Sequence, residues 1–292
     1  MIATEQGTGF RAGLVQLRSG RDLDANIAAA STLIREAAAG GAHYVQTPEV
    51  TTLIETDRAR LFAAMKPEEG NPAVAQFSAL ARELGIWLHI GSMGILVRPD
   101  KVANRAFLFA PDGRIAARYD KIHMFDVQLP GGENYRESRN FEPGTSAVVA
   151  DLPWGRLGLT ICYDLRFPHL YRDLAKAGAQ FLAIPSAFTQ KTGEAHWHVL
   201  MRARAIETGC YVLAAAHGGR HESGRETYGH SLVVAPWGEI VAEAGVDPTV
   251  LYADIHPEKV EEARRRVPSL THDRAYDAVT ATPTVDRTAR KG

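Results

Sequence analysis

The chain of 292 residues carries 33 basic and 34 acidic side chains, which gives a formal net charge of −1, and 45% of its residues are hydrophobic. A balance this close to neutral gives no reason to expect a nucleic acid or an anionic membrane as a partner. The two cysteines make no disulfide framework and suit a reducing compartment. Because no signal-peptide pattern and no bilayer-length apolar run is visible, we expect a cytoplasmic protein.

Short apolar runs alternate with helical patterns in the first part of the chain. The predicted helices are 23–39 and 71–84, each closed by glycine, and the predicted strands are 10–17, 43–47 and 86–91. This alternation indicates parallel strands joined by crossover helices. The next segment, 104–119, is different, because the apolar runs on either side of Pro111-Asp112-Gly113 predict a β-hairpin.

The second half of the chain repeats this plan in the same order. Segment 156–162 resembles 11–17, 178–185 resembles 41–48, 196–216 resembles 71–91, and 232–240 resembles 108–115. Four matches in one order predict two sheet-and-helix halves that pack face to face. We therefore expect an α/β fold, a four-layer α-β-β-α sandwich with an internal pseudo-twofold repeat.

The chain shows no division into separate domains. No linker rich in proline, glycine or serine interrupts it, so residues 9–275 should form a single domain. Residues 257–266 predict a short charged helix with a solvated face, stopped by Pro268. The polar stretch 276–292 is expected to be a mobile C-terminal tail.

Cys162 stands where a buried strand ends and a helix is about to begin. The apolar run 156–161 predicts the strand, and Pro168 marks the first turn of the helix. A side chain at such a corner projects from the strand end, where backbone N–H groups can stabilise an oxyanion. Cys162 is therefore placed to act as a nucleophile, although a buried structural cysteine would fit the same pattern. Cys210, inside an apolar strand pattern, is expected in the core.

A cysteine nucleophile needs a base, and no histidine stands out for that role. His196 and His198 suggest a metal pair, but residues two apart on a helix point to different sides, so we expect no shared metal. A carboxylate can serve instead, and Glu49 follows Pro48 at the end of a predicted parallel strand, where sites in α/β sheets lie. Lys121, after the hairpin, could hold a developing alkoxide. Taken singly, Glu49 would also fit a solvated loop and Lys121 an ordinary surface position.

Three motifs, in this order, resemble the signatures of the nitrilase superfamily, the carbon–nitrogen hydrolases. They are Pro48-Glu49, Asp120-Lys121-Ile122-His123 and the run from Ile161 to Pro168. The resemblance covers about residues 9–275, and the family has the same α-β-β-α sandwich that the repeat predicts. It implies that Glu49 is the general base, that Lys121 stabilises the tetrahedral intermediate and that Cys162 is the nucleophile.

The same resemblance implies further parts of the site. Glu137 would position the lysine, and the backbone N–H of Tyr163 would complete the oxyanion hole. Thr47 departs from the family pattern, in which an aromatic residue often precedes Pro-Glu. The implied reaction is amide hydrolysis through a cysteine thioester, which needs no metal and no organic cofactor. Because family members generally assemble, a homo-oligomer, a dimer or larger, is expected.

Segments 186–188, 192–197, 202–208 and 228–231 resemble the branch that includes deaminated glutathione amidase and ω-amidase. These enzymes cleave an amide in a molecule that also carries an α-keto acid. The resemblance implies that Arg166 and Thr192 bind the carboxylate end of the substrate, which suits a forked guanidinium. Arg166 could instead pair with Asp164 or another acidic residue and brace the corner.

Two other functions stay open. An N-carbamoyl amine or amino-acid hydrolase would use the same triad on a related small substrate. A non-catalytic binding module could share the fold, although the complete set of Glu49, Lys121, Glu137 and Cys162 speaks against it.

Overall fold

A computed structural model describes residues 9–129, 132 and 134–277, so residues 278–292 of the predicted tail lie outside the described part. The helices are α1 (Leu23–Ala39), α2 (Arg58–Ala64), α3 (Pro72–Leu84), α4 (Pro168–Lys176), α5 (Gln190–Thr208) and α6 (Glu258–Arg266). The strands are β1 (Phe10–Gln16), β2 (Tyr44–Gln46), β3 (Trp87–Arg98), β4 (Lys101–Phe109), β5 (Ile115–Asp120), β6 (Asp126–Gln128), β7 (Asn134–Arg136), β8 (Phe141–Glu142), β9 (Val148–Leu152), β10 (Gly155–Leu159), β11 (Ala179–Ala183), β12 (Tyr211–Ala214), β13 (Gly218–Arg220), β14 (Glu226–Tyr228), β15 (Leu232–Val234), β16 (Ile240–Glu243) and β17 (Thr249–Ile255).

Two sheets of the same design form the centre of the protein. One has the strand order β17-β1-β2-β3-β4-β5, with β8 beside β4, and the other has the order β9-β10-β11-β12-β15-β16. In each sheet, three parallel strands are followed on one side by an antiparallel hairpin and bordered on the other by one antiparallel strand. This shared order confirms the predicted pseudo-twofold repeat.

The two sheets pack face to face, and helices cover their outer faces. Successive side chains of a strand point to opposite faces, so β1 contributes Leu14 to the core between the sheets and Val15 to the core under α1 and α3. Phe10 and Phe181 meet edge to face across the interface, with ring centres 5.3 Å apart. On the far side, α4 and α5 cover the second sheet. The predicted α-β-β-α sandwich is confirmed.

Several elements differ from the sequence-based prediction. Helix α5 begins at Gln190, six residues before the predicted start, because the side chain of Thr189 caps its first turn by accepting a hydrogen bond from the Thr192 amide. Helix α2 and strands β9 and β17 were not predicted. Strand β17 pairs with β1, which is far away in the chain, and a local sequence pattern cannot identify so distant a pairing partner. Among the described residues, every helix is too short or too polar to span a bilayer.

Gly91 in β3 lies between two segments, one after β2 in the first half of the chain and one after β11 in the second half. A β-carbon on this residue would be 2.1 Å from the Thr47 carbonyl oxygen, 2.4 Å from Cβ of Pro185 and 2.6 Å from the Pro48 carbonyl oxygen. Pro48 and Pro185 are equivalent positions of the repeat. The absence of a side chain at Gly91 therefore lets the two equivalent strand ends approach each other.

We predict that Gly91→Ala lowers the free energy of unfolding by about 3 kcal/mol, because the added methyl group meets backbone atoms that cannot move aside. Gly245→Ala is the matched control, since a β-carbon there meets nothing within 4 Å. Chemical denaturation of both variants measures the difference. Equal midpoints would show that the rim tolerates a side chain at Gly91.

Candidate active site

The ends of three strands bring the predicted triad together. Glu49 follows β2, Lys121 directly follows β5, and Cys162 comes shortly after β10, from the opposite sheet. All three line one cavity of about 300 Å³ and are almost fully buried. The face-to-face packing of the sheets therefore places side chains from both halves at one rim, as sites in α/β sheets usually lie.

The ammonium group of Lys121 is held between two carboxylates. Its Nζ donates to Oε1 of Glu49 at 2.8 Å and to both carboxylate oxygens of Glu137 at 2.8 and 3.0 Å. The Lys121 side chain is only 2% exposed, so its charge requires such partners. Glu137 is fixed in turn by the backbone N–H of Phe125, which donates to Oε2 at 2.6 Å. The structure thus gives Glu137 the contacts that a residue positioning the lysine would need.

Asn104 is part of the site and was missed in the sequence analysis. Its Nδ2 donates to Oε1 of Glu49 at 3.0 Å and to Oε1 of Glu137 at 3.2 Å, so it bridges the same two carboxylates as the lysine. The backbone N–H of Lys121 donates to the Asn104 carbonyl at 3.0 Å. The available signal was a single amide in β4, a strand in which only Lys101, Asn104 and Arg105 are polar, because an amide in a buried strand needs polar partners.

The electrostatics of the cluster favour a charged Glu49 and a protonated Cys162. Burial acts to raise the pKa of Glu49, but the charge and hydrogen bond of Lys121 outweigh it and hold that pKa below its usual value. Burial raises the pKa of the Cys162 thiol, and the nearby charge of Glu49 raises it further. Burial lowers the pKa of Lys121, but its two carboxylate neighbours more than reverse that effect. A carboxylate beside a neutral thiol can act as a general base.

The nucleophile candidate lies on a strained backbone corner. Cys162 has a φ of 49°, a left-handed conformation that non-glycine residues rarely adopt. Its backbone N–H donates to the Pro185 carbonyl at 2.9 Å. Asp164, fully buried just beyond it, accepts hydrogen bonds from Tyr119 Oη at 2.7 Å and from the backbone N–H of Ile161 at 2.9 Å. These contacts hold the corner in the conformation that projects the thiol into the cavity.

Arg166 and Thr192 also line the cavity, as does Tyr163. The guanidinium of Arg166 lies 3.2 Å from Nδ1 of His196, and its central carbon is 5.9 Å from the Tyr163 ring centre. The alternative in which Arg166 pairs with Asp164 is not observed, because the Asp164 carboxylate is occupied by other partners. Among the described residues, no carboxylate forms an ion pair with Arg166.

Arg225 is a second guanidinium at the cavity that the sequence analysis missed. It donates to the Ala187 carbonyl oxygen, and its central carbon lies 5.7 Å from the Tyr135 ring centre. Its Nε is buried without a hydrogen-bond partner among the described residues. Its charge also helps to lower the pKa of Glu49. Arg225 lies in the polar turn between β13 and β14. It was missed because nothing in the local sequence distinguishes it from a solvated arginine.

The other candidate residues are placed as follows. His196 contacts Arg166, whereas His198 contacts Glu243, so the two histidines of α5 have different neighbours. Cys210 is fully buried, and its thiol donates to the Ala179 carbonyl at 3.2 Å, as expected of a core residue. Both cysteines are free.

Comparison with known proteins gives matches over nearly the whole chain. The chain is 40% identical over 264 residues to a deaminated glutathione amidase from Yersinia enterocolitica, which covers 89% of this chain and 92% of the relative. It is 36% identical over 272 residues to the human ω-amidase NIT2, covering 92% of this chain and 96% of the relative.

Solved structures agree with these matches. The NitFhit protein of C. elegans superposes with a TM-score of 0.85 and 36% identity, covering 93% of this chain and 66% of that protein. A variant of the amidase from Nesterenkonia sp. AN1, with acrylamide added to its active-site cysteine, has a TM-score of 0.75 and 26% identity over 89% of this chain and 98% of its own. The sequence model of the carbon–nitrogen hydrolases matches residues 11–265, and the chain therefore belongs to the carbon–nitrogen hydrolase family.

Proposed function

We propose that this protein is an amidase that hydrolyses a small linear amide whose molecule also carries a carboxylate, with Cys162 as nucleophile and Glu49 as general base. The observation that carries the proposal is the buried cluster in which Lys121 bridges Glu49 and Glu137 beside the Cys162 thiol. The named relatives support the substrate class, since they are a deaminated glutathione amidase and an ω-amidase.

In the first half of the reaction, Glu49 takes the thiol proton as the sulfur of Cys162 attacks the amide carbonyl carbon. The oxyanion that forms is stabilised by the ammonium of Lys121 and the backbone N–H of Tyr163. The C–N bond then breaks, and the leaving nitrogen takes the proton from Glu49. Ammonia or an amine departs, and a thioester remains on Cys162.

In the second half, Glu49 accepts a proton from water while the water oxygen attacks the thioester carbonyl. The C–S bond breaks, the sulfur takes the proton back, and the carboxylic acid is released. Lys121 remains charged throughout, because its hydrogen bonds to both oxygens of the Glu137 carboxylate persist when Glu49 is protonated. Glu137 is thus a positioning residue in this mechanism.

The substrate is tested by measuring the release of ammonia or amine from a panel of compounds. The panel contains deaminated glutathione, an α-keto-acid ω-amide, a neutral amide of similar size, a nitrile and an N-carbamoyl amino acid. We expect the two anionic amides to have the highest kcat/KM. Preference for the N-carbamoyl compound would identify the other hydrolase function that uses this triad.

Cys162→Ala should abolish turnover, and Glu49→Gln should lower kcat by about 10²–10⁴-fold, because glutamine keeps the shape of the side chain but accepts no proton. Cys210→Ala is the matched control, a buried cysteine outside the cavity whose loss should cost only about 1 kcal/mol of stability. Amine release and thermal unfolding are measured for all three variants. Normal turnover by either active-site variant would remove that residue from the mechanism.

The pH dependence of kcat/KM should report a Glu49 whose pKa lies below its usual 4.5. Activity requires the Glu49 carboxylate, so it is present above that lowered pKa and is lost as the pH falls through it. The thiol stays protonated because its pKa is raised. We therefore expect a plateau from about pH 5 to 8, with no ionisation near the usual histidine pKa of about 6.5. An acid limb centred near pH 6.5 would instead indicate a histidine base.

Arg166 and Thr192 are proposed to bind the carboxylate end of the substrate, with Arg166 supplying the charge. Arg166→Lys should lower kcat/KM for anionic amides about ten- to hundredfold, since lysine keeps the charge but loses the forked pairing. Arg172→Lys, which alters a surface ion pair with Asp273, is the control. Kinetics with anionic and neutral amides measure the effect. An equal loss for both kinds of amide would make Arg166 structural.

We also propose that the protein acts as a homo-oligomer in the cytoplasm. The two free cysteines, one of them the nucleophile, suit a reducing compartment. Exposed apolar side chains lie on the outer side of α5 and on the neighbouring β16, with Val199 69%, Ile206 54% and Val241 44% exposed. A second copy of the chain would cover this surface.

Sedimentation should therefore show a mass of at least two chains, and Val199→Glu together with Ile206→Glu should reduce it to one, because a charge would be buried in the interface. The Arg172→Lys protein again serves as a control that leaves this surface unchanged. A monomer at micromolar concentration would contradict the proposal.

A further inference from the structure

Three potential metal ligands meet on the surface outside the catalytic cavity. His198 lies in the middle of α5, His230 lies two residues before β15, and Glu243 is the last residue of β16. None of the three lines the cavity that contains the triad. Within residues 9–129, 132 and 134–277, this is the one group of three or more metal-ligating side chains whose ligand atoms lie close enough to share an ion.

The two imidazoles converge on a single carboxylate oxygen. Nε2 of His198 lies 2.9 Å from Oε1 of Glu243, and Nδ1 of His230 lies 2.8 Å from the same oxygen. The three ligand atoms all lie within 4.8 Å of one another. In a tetrahedral zinc site with bonds of about 2.1 Å, ligand atoms are about 3.4 Å apart. The present separations differ from that value by amounts that small side-chain rotations can supply.

The side chains are held in this arrangement by their surroundings. His230 has a φ of 54°, and its carbonyl oxygen accepts a hydrogen bond from Nε1 of Trp197 at 2.8 Å. The Tyr228 ring stacks on the His230 ring with centres 4.4 Å apart and meets the His198 ring edge-on at 6.0 Å. Glu243 is in register with Leu232 in the β15–β16 hairpin. Because backbone and aromatic contacts orient both imidazoles, binding would cost little conformational entropy.

The charge of the group suits a divalent cation. Glu243 supplies a carboxylate whose ion-pair partners among the described residues are the two histidines alone. In the single chain the three side chains are each about one-third exposed, at 31%, 27% and 32%, so solvent and an ion can reach them when no second copy covers the neighbouring apolar surface of α5 and β16. Two imidazole nitrogens and one carboxylate oxygen form a donor set that Zn²⁺ commonly takes.

We propose that His198, His230 and Glu243 form a binding site for a divalent transition-metal ion, of which Zn²⁺ is the best match. The site would tie α5 to the β15–β16 hairpin on the outer face of the second sheet. Each imidazole would present to the metal the nitrogen that now faces the carboxylate, and its proton would reside on the other ring nitrogen or leave to solvent. Amide hydrolysis at Cys162 does not involve this ion.

The test is a Zn²⁺ titration of the tag-free, chelator-treated full chain, monitored by competition with a fluorescent zinc indicator. We expect one ion per chain, and a loss of affinity of roughly tenfold or more for each of His198→Ala, His230→Asn and Glu243→Gln. Asparagine is chosen at His230 because it tolerates a positive φ. His256→Ala is the matched control, since that imidazole lies 3.5 Å from Glu258 and belongs to no group of three ligands in the described part of the chain.

Amidase turnover of the chelator-treated protein and of each variant provides a check on folding, because none of these residues belongs to the catalytic cluster. Zinc should also raise the unfolding temperature of the wild-type chain and leave that of Glu243→Gln unchanged. The proposal is overturned if the wild-type chain binds no zinc, or if the three variants bind it as tightly as the wild type. An equal loss of affinity in His256→Ala would likewise overturn it.

Discussion

The buried ammonium of Lys121 is the constraint on which the rest of the site depends. A positive charge that is only 2% exposed is tolerated when carboxylates and further hydrogen bonds surround it. Glu49 and Glu137 supply the neutralising negative charge, and the Asn104 amide donates hydrogen bonds to both of these carboxylates. This pairing holds Glu49 as a carboxylate, whereas burial, assisted by the nearby charge of Glu49, raises the pKa of the Cys162 thiol and keeps it neutral. The same contacts that stabilise the buried lysine therefore prepare the base for attack by the sulfur.

The pseudo-twofold repeat explains how the cluster is assembled and why the two related positions differ in chemistry. Glu49 belongs to the first half and Cys162 to the second, and they meet because Gly91 allows the equivalent segments around Pro48 and Pro185 to approach closely. The positions equivalent to Glu49 and Cys162 are Ser186 and Leu17. These two side chains cannot supply a base and a nucleophile, so the chemistry resides at only one of the two related positions.

Backbone strain and polar bracing act together at the corner that carries the nucleophile. A φ of 49° at Cys162 is unfavourable by itself. Asp164 stabilises this backbone conformation, because its carboxylate accepts hydrogen bonds from the Tyr119 hydroxyl in the first sheet and from the backbone N–H of Ile161 on the corner itself. Because Asp164 is used in this way, Arg166 is left without an acidic partner among the described residues, and its charge faces the cavity. The bracing of the corner and the availability of a guanidinium for an anionic substrate thus have a common origin.

The sequence by itself determined the layered fold, through its alternating patterns and internal repeat. It also made Glu49, Lys121 and Cys162 the candidates for catalysis, because each stands near a predicted strand end and lies in one of three motifs that resemble the nitrilase superfamily. Those features depend on local periodicity and on motifs within a few residues. The roles of Asn104 and Arg225, the true start of α5 and the pairing of β17 with β1 were decided by the tertiary structure. The meeting of His198, His230 and Glu243 was decided in the same way. Each of these depends on side chains or strands that are far apart in the chain, and their contact is set by how the two sheets and their helices pack.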